Sequence, residues 1–356
     1  MKQFVVIKDV LNIRNKPDAE SDGTFVGELR RGTVVFLDER EIAGTVPPGA
    51  TSNLWLADTL NRVVHKEGVV EAAQFWNKVF GIEQLWEHTK GEGVNVVLID
   101  SGIRDCDDLH TDGMFKTTAP PGGDPTDKLG HGTYMASIIA GSGAFIQGVA
   151  PNAKLHSIKF TDSKEFDEGN FKEALKILPG ILKKDQFYII NCSLNLRFDL
   201  EDAKKTEILQ IIKMIRSEFD AVFIAAVGND GKKEDKQTAP ACLDGVISCA
   251  AFRASELGGF VRLTRSNYWP SIVITAPGDF PAGQISGSLR NQGSSQACAF
   301  TTGLTVLFVS KLLKADKRLQ ARNVIDAIRM CTTKVEGNLT YNILDKDKMI
   351  QTFEKF

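Results

Sequence analysis

Four polar residues in this chain stand where their side chains could do chemistry together. Asp100 closes the apolar run VNVVLID and is followed by Ser101 and Gly102, while His131 opens the segment HGTYMASIIAG. Asn229 follows the run AVFIAAVG, and Ser295 lies in GSSQACAF at the mouth of a long apolar stretch. A carboxylate, an imidazole, an amide and a hydroxyl are the parts that acyl transfer by a serine nucleophile requires. Each also has an ordinary use. Asp100 also reads as a turn or helix-capping residue, His131 as a structural histidine, Ser294 and Ser295 as helix caps, and Asn229 as a turn residue before Asp230 and Gly231.

Placement sharpens these alternatives. His131 sits between Gly130 and Gly132 with small residues on the following turns, so a helix starting there can pack closely. Ser295 falls at the N-terminus of a helix-like segment, where unpaired backbone N–H groups and the helix dipole favour negative charge, as a developing oxyanion needs.

The elements that must hold these residues are legible as short apolar runs. VNVVLID, AKLHSIKF, FYIINCSL, AVFIAAVG, GVISCAAF and IVITAPG are apolar on both faces, with helical spacing between the earlier ones. Such runs predict an α/β fold: a doubly wound, mostly parallel sheet covered by helices on both sides. Functional groups in such a sheet gather at the C-terminal ends of the strands, where Asp100 and Asn229 fall.

Before that region, QFVVI, LNIR, TFVGEL, GTVVFLD and NLWLAD alternate between turn-rich segments, the spacing of a small β-barrel over residues 1–70. Residues 71–90 read as a helical linker, and residues 91–356 as the second domain.

With 356 residues, 42% of them hydrophobic, the chain can fill a sizeable core. Its 43 basic and 45 acidic residues leave a net charge of −2, which offers no whole-chain attraction to nucleic acid or an anionic membrane. The N-terminus lacks the pattern of a secretory signal, and no apolar stretch is expected to approach the roughly 20 residues that span a bilayer. Six cysteines without Cys-x-x-Cys spacing, several in apolar runs, read as reduced core residues. A cytoplasmic protein is expected.

The chain order Asp100, His131, Ser295 is that of subtilisin. The sequence resembles the subtilisin-like serine peptidases through VVLIDSG, GHGTYMASIIAG, GVAPNAKL, INCSL, AAVGNDG, VISCAAF, SNYWPSIVITAPG and GSSQACAF, which occur in the family's order from about residue 76 to 335. The resemblance implies that Ser295 is the nucleophile, His131 the general base, Asp100 its orienting acid and Asn229 the oxyanion donor. It implies substrate contacts at Ser193, Leu194, Asn195, Ala226 and Gly228, with an extended peptide as substrate; no cofactor is expected, and although many relatives bind calcium, no metal site is read in this chain. The segment LNIRNKP…VGELRRGTVVFL…LW resembles bacterial Src-homology-three-like modules over about 65 residues.

Departures from the family's pattern narrow these expectations. After the nucleophile the family usually continues Met-Ala-Ser-Pro-His, whereas this chain has Gln296, Ala297, Cys298, Ala299 and Phe300. Where the family has Ser-Leu-Gly-Gly, this chain has Ser193, Leu194, Asn195 and Leu196, which predicts a narrower cleft and restricted specificity. Asp105, Asp107, Asp108 and Asp112 match no defined calcium-loop spacing and read as a solvated acidic loop. Asp230, Glu234 and Asp235 would favour a basic substrate residue, but Lys232, Lys233 and Lys236 oppose that. Two other functions use the same parts: a peptide-binding scaffold without turnover, and a transpeptidase or peptide cyclase. In the peptidase reading, residues 1–70 restrain the active site, alone or through a recruited regulatory protein; the alternative is a tethering module that binds elsewhere and leaves catalysis alone.

Overall fold

Valine pairs recur in the early strands, at Val5 and Val6, Val34 and Val35, Val63 and Val64, and Val69 and Val70, and β-branched side chains suit a pleated backbone. The computed structural model describes strands at residues 2–6, 10–14, 25–30, 34–37, 41–43, 54–57, 63–65 and 69–71, and residues 75–355 apart from 107–108, 110–112, 143–145, 164–166, 195, 197–202, 232–237, 255–259, 282–289, 316–319 and 337–339. Two units divide it: Met1–Trp76 with Arg253–Val261, and Asn77–Phe252 with Arg262–Phe356.

In the first unit Lys2–Val6 pairs antiparallel with Val34–Leu37 and with Val69–Glu71. A second antiparallel sheet has the order Phe25–Arg30, Val10–Arg14, Val63–His65, Leu54–Ala57, Glu41–Ala43. The segment expected to be helical from residue 71 therefore opens on the end of a strand. Val69 and Val70 pair with Val6 and Val5, and helix begins only at Phe75–Phe80, followed by Ile82–Trp86.

The second unit is built on one large sheet. Its order is Lys116–Thr118, Lys154–Lys159, Asn95–Asp100, Tyr188–Cys192, Ala221–Ala226, Val246–Ala254, Ile274–Pro277, Tyr341–Leu344, Thr332–Val335. Every pair is parallel except the last. The central strands Asn95–Asp100, Tyr188–Cys192 and Ala221–Ala226 are buried along their whole length, as their two-faced apolar runs require.

The chain leaves the aspartate strand, Asn95–Asp100, toward one edge of the sheet and returns on its other side as Tyr188–Cys192. The order reverses between these two neighbours, and a crevice for ligands opens at their C-terminal ends.

Helices cover both faces. On one face Phe171, Leu175 and Leu178 of helix Glu168–Ile181 and Ile208, Ile212 and Ile215 of helix Ala203–Glu218 join Val97, Ile99, Ile190 and Phe223 in a single core. The opposite face carries the serine helix, Ser294–Lys314, to which Asn191 donates through Nδ2, at 2.9 Å to Thr302 Oγ1. That helix corrects one expectation. It is long and apolar enough to cross a membrane, yet its apolar window is 89% buried inside the protein. A helix that is apolar all round is what a core enclosed on every side demands.

Candidate active site

Asp100 ends the aspartate strand with its side chain 2% exposed. Its Oδ1 accepts from the Ser101 backbone N–H at 2.7 Å and faces His131 Nδ1 at 2.8 Å. His131 is the first residue of the histidine helix, His131–Ala140, whose N-cap Gly130 takes the left-handed conformation at φ 82°. Close approach of this helix to the aspartate strand depends on Gly132, where a Cβ would lie 2.2 Å from the Gly102 carbonyl oxygen. With Nδ1–H donated to Asp100, the other ring nitrogen, Nε2, is left as the proton acceptor. Burial pulls the His131 pKa down, but the charge and hydrogen bond of Asp100 and the charge of Asp127 outweigh it, and the net shift is upward from 6.5.

Ser295 lies in the first turn of the serine helix, where its backbone N–H has no intrahelical acceptor. It is bound reciprocally to Ser193: Ser295 Oγ donates to the Ser193 carbonyl at 2.9 Å, and Ser193 Oγ donates to the Ser295 carbonyl at 3.1 Å. Ser193 directly follows the strand Tyr188–Cys192, which pairs in parallel with the aspartate strand so that Asn191 faces Leu98. Continuing that register brings Ser193 level with Asp100 on the neighbouring strand. The Asp100–His131 pair and the Ser193–Ser295 pair thus stand on adjacent strand ends, and strands in a sheet are about 4.8 Å apart.

One strand further on, Cys192 faces Ala225, so Ala226 comes level with Ser193 and the turn carrying Asn229 follows. Asn229 Oδ1 accepts from the Ser294 backbone N–H at 2.8 Å, which leaves the Nδ2 group at the helix mouth for another acceptor. Ser294 Oγ accepts from the Gly228 N–H at 3.0 Å, tying the turn to the serine helix a second time. The Ser295 N–H and Asn229 Nδ2 are therefore a pair of donors beside the hydroxyl, the composition of an oxyanion hole.

Ser193, Leu194 and Ala226 are at most 1% exposed, and Gly228 is also buried, so an extended peptide would meet main chain here rather than side chains. Asn195 lies outside the described residues, as do Asp107, Asp108, Asp112 and the charged residues 232–236. Cys298, one turn along the serine helix, is fully buried and accepts from Asn191 Nδ2 at 3.3 Å, away from the helix mouth. All six cysteines are free.

Comparison with known proteins bears on this arrangement. The subtilase family, peptidase S8, matches residues 91–344. The chain belongs to the subtilase family. Over 300 residues this subtilase is 26% identical to Subtilisin-like protease 3 of Pseudogymnoascus destructans, covering 80% of the chain and 65% of that protein. It spans between 42% and 65% of the length of that protein and of Epr, a minor extracellular protease of Bacillus subtilis that it also matches. Solved structures share its fold. The subtilase cytotoxin SubAB structure superposes with TM-score 0.65 at 23% identity, over 79% of this chain and 96% of that one. The prenylagaramide maturation protease PagA gives 0.61 at 24% identity, over 77% and 98%.

The subtilase site also uses residues that sequence reasoning passed over. Asn267, fully buried in the segment SNYWPSI, donates from Nδ2 to the Val227 carbonyl at 2.9 Å and accepts from the Asp230 N–H at 3.0 Å, so it fixes the turn that carries Asn229. Asp127, shortly before His131, is buried and caps the first turn of the histidine helix. A buried polar residue costs stability unless its bonds are made. The available signal was a lone Asn or Asp in a segment that packs in the core, which only the partners make informative.

Proposed function

We propose that this subtilase is a serine endopeptidase acting through Asp100, His131 and Ser295, with Asn229 in the oxyanion hole. Ser295 Oγ attacks the scissile carbonyl while His131 Nε2 takes its proton, and Asp100 holds the ring tautomer and stabilises the imidazolium. The tetrahedral oxyanion accepts from Asn229 Nδ2 and the Ser295 N–H. Collapse to the acyl-enzyme expels the amine, protonated by His131. Water, deprotonated by the same ring, then releases the acid. The observation that carries this reading is the 2.8 Å contact of His131 Nδ1 with Asp100 Oδ1 at a strand end adjacent to the one that holds Ser295. Comparing proteome-wide cleavage by the active chain and by Ser295→Ala tests it; cleavage independent of Ser295 would overturn it. Mass analysis of the products separates hydrolysis from transpeptidation or cyclisation, and binding without any product would leave a peptide-binding scaffold.

Restricted specificity belongs to the same reading. Leu196, where the resembled pattern has glycine, is 1% exposed and its N–H is bonded to the Ala239 carbonyl at 2.9 Å, which supports a cleft closed beyond Leu194. The reading further takes residues 1–70 as a Src-homology-three-like barrel that restrains peptidase activity or recruits a regulatory partner, and it takes the six free cysteines as a sign of the reducing cytoplasm. Comparing peptide hydrolysis by residues 71–356 and by the full chain, both verified as folded, tests the restraint. A faster truncated chain supports direct restraint by residues 1–70, and equal rates refute it, leaving tethering or control through a recruited partner.

A further inference from the structure

Asp127 is 2% exposed, yet the lysines near it are engaged elsewhere: Lys128 pairs with Asp124 at 3.3 Å and Lys159 with Asp162 at 2.7 Å. Neutral donors surround the carboxylate instead. Its Oδ1 accepts from Ser101 Oγ at 2.9 Å and from the backbone N–H groups of Leu129 at 3.0 Å and Gly130 at 2.8 Å. Its Oδ2 accepts from the Thr133 N–H at 2.9 Å and the Thr133 hydroxyl at 2.6 Å. Ser101 Oγ in turn accepts from the Gly132 N–H at 2.9 Å.

These bonds reach the residues on either side of the Asp100–His131 contact. Ser101 follows Asp100 in the chain; Gly130 and Gly132 flank His131. An ordinary helix cap satisfies one or two N–H groups of its own helix. This one also grips the end of the neighbouring strand.

We propose that Asp127 is a positioning residue of the active site, clamping the end of the aspartate strand to the first turn of the histidine helix so that Asp100 and His131 meet in register. This rests on the peptidase reading and deepens it. The clamp has an electrostatic consequence as well. The charged groups that act on the His131 ring are Asp100, from the aspartate strand, and Asp127, from the loop before the histidine helix; both favour the imidazolium and oppose the effect of burial. Among the described residues Asp127 has neutral donors and no paired cation, so its charge is not cancelled by a partner and acts on the ring.

The test uses the full chain as wild type, Asp127→Asn and Ser101→Ala, with folding followed by circular dichroism. Histidine ring resonances are titrated by NMR, and kcat and KM are measured on a peptide that the wild type cleaves. Asp127→Asn removes the charge, and the His131 midpoint is expected to move to lower pH. Its kcat is expected to fall by about 10- to 100-fold with KM little changed, the scale set by small misplacements of catalytic groups. Ser101→Ala keeps the charge and breaks the clamp, so kcat falls while the His131 midpoint stays near that of wild type. A folded Asp127→Asn chain with the wild-type midpoint overturns the electrostatic part, and wild-type kcat in Ser101→Ala overturns the clamp even where Asp127→Asn fails to fold. The titration needs no peptidase activity. Failure of the peptidase reading would show instead as a wild-type chain that neither cleaves peptides nor reacts with serine-directed probes.

Discussion

Ser295 Oγ donates its proton to the main-chain carbonyl of Ser193 at 2.9 Å, so the hydroxyl rests on the strand beside the imidazole rather than on the imidazole itself. The acceptor is backbone, which no substitution at residue 193 removes. A fluorophosphonate probe is therefore expected to label Ser295 in wild type and in Ser193→Ala at comparable rates, and not at all in Ser295→Ala. The Ser193 hydroxyl donates to the Ser295 carbonyl at 3.1 Å, so Ser193→Ala should cost only about 1 kcal/mol of stability. Mass spectrometry of the labelled peptide and a thermal melt check both statements.

Asn229→Ala removes the side-chain donor of the oxyanion pair and also the Oδ1 that accepts from the Ser294 N–H. Turnover should drop by about 10²–10³, a scale measured on a subtilisin and carried over to this chain. KM should change far less, because the lost bond forms in the transition state. Steady-state kinetics on one peptide substrate decide it, and a near-normal kcat would place the oxyanion donor elsewhere.

The pH dependence follows from the His131 shift. The base must be neutral, and although burial lowers its pKa, Asp100 and Asp127 raise it to a net value above 6.5. Activity is then full well above that pKa and is lost as pH falls through it, so the acid limb of kcat/KM lies at a higher pH than for a free histidine. A pH–rate profile measured over about pH 5–9 tests the sign, and a midpoint below 6.5 would contradict it.

Two glycines give opposite outcomes. Gly132→Ala puts a methyl group 2.2 Å from the Gly102 carbonyl oxygen and 3.2 Å from Asp100, which forces the histidine helix off the aspartate strand. Its kcat should fall by more than about 100-fold. Gly180, within helix Glu168–Ile181, has nothing within 4 Å of an added Cβ, so Gly180→Ala should stabilise the protein by about 0.5–1 kcal/mol with activity unchanged. Chemical denaturation and peptide hydrolysis read both variants.

Six strands of the large sheet were legible because each is a short run, apolar on both faces, and the ends of those runs carry Asp100 and Asn229; Lys116–Thr118, Thr332–Val335 and Tyr341–Leu344, short and only partly buried, were not. His131 and Ser295 were legible for a related reason: glycines and small residues at a helix start are a local signature. The Val69–Glu71 strand was missed because three residues hold no period, and its identity comes from pairing with Lys2–Val6. The burial of the long apolar serine helix likewise follows from what surrounds it.

Which residues meet at the site is a different kind of fact. The Asp100–His131 contact, the resting bond of Ser295 on Ser193 and the clamp at Asp127 join positions remote in sequence, and each depends on the register between neighbouring strands and on a close helix approach at Gly132. Residue types and local spacing are written along the chain, so the chain alone determined the parts. Hydrogen bonds hold only over a few tenths of an ångström, and that precision exists only once the sheet and its covering helices have packed.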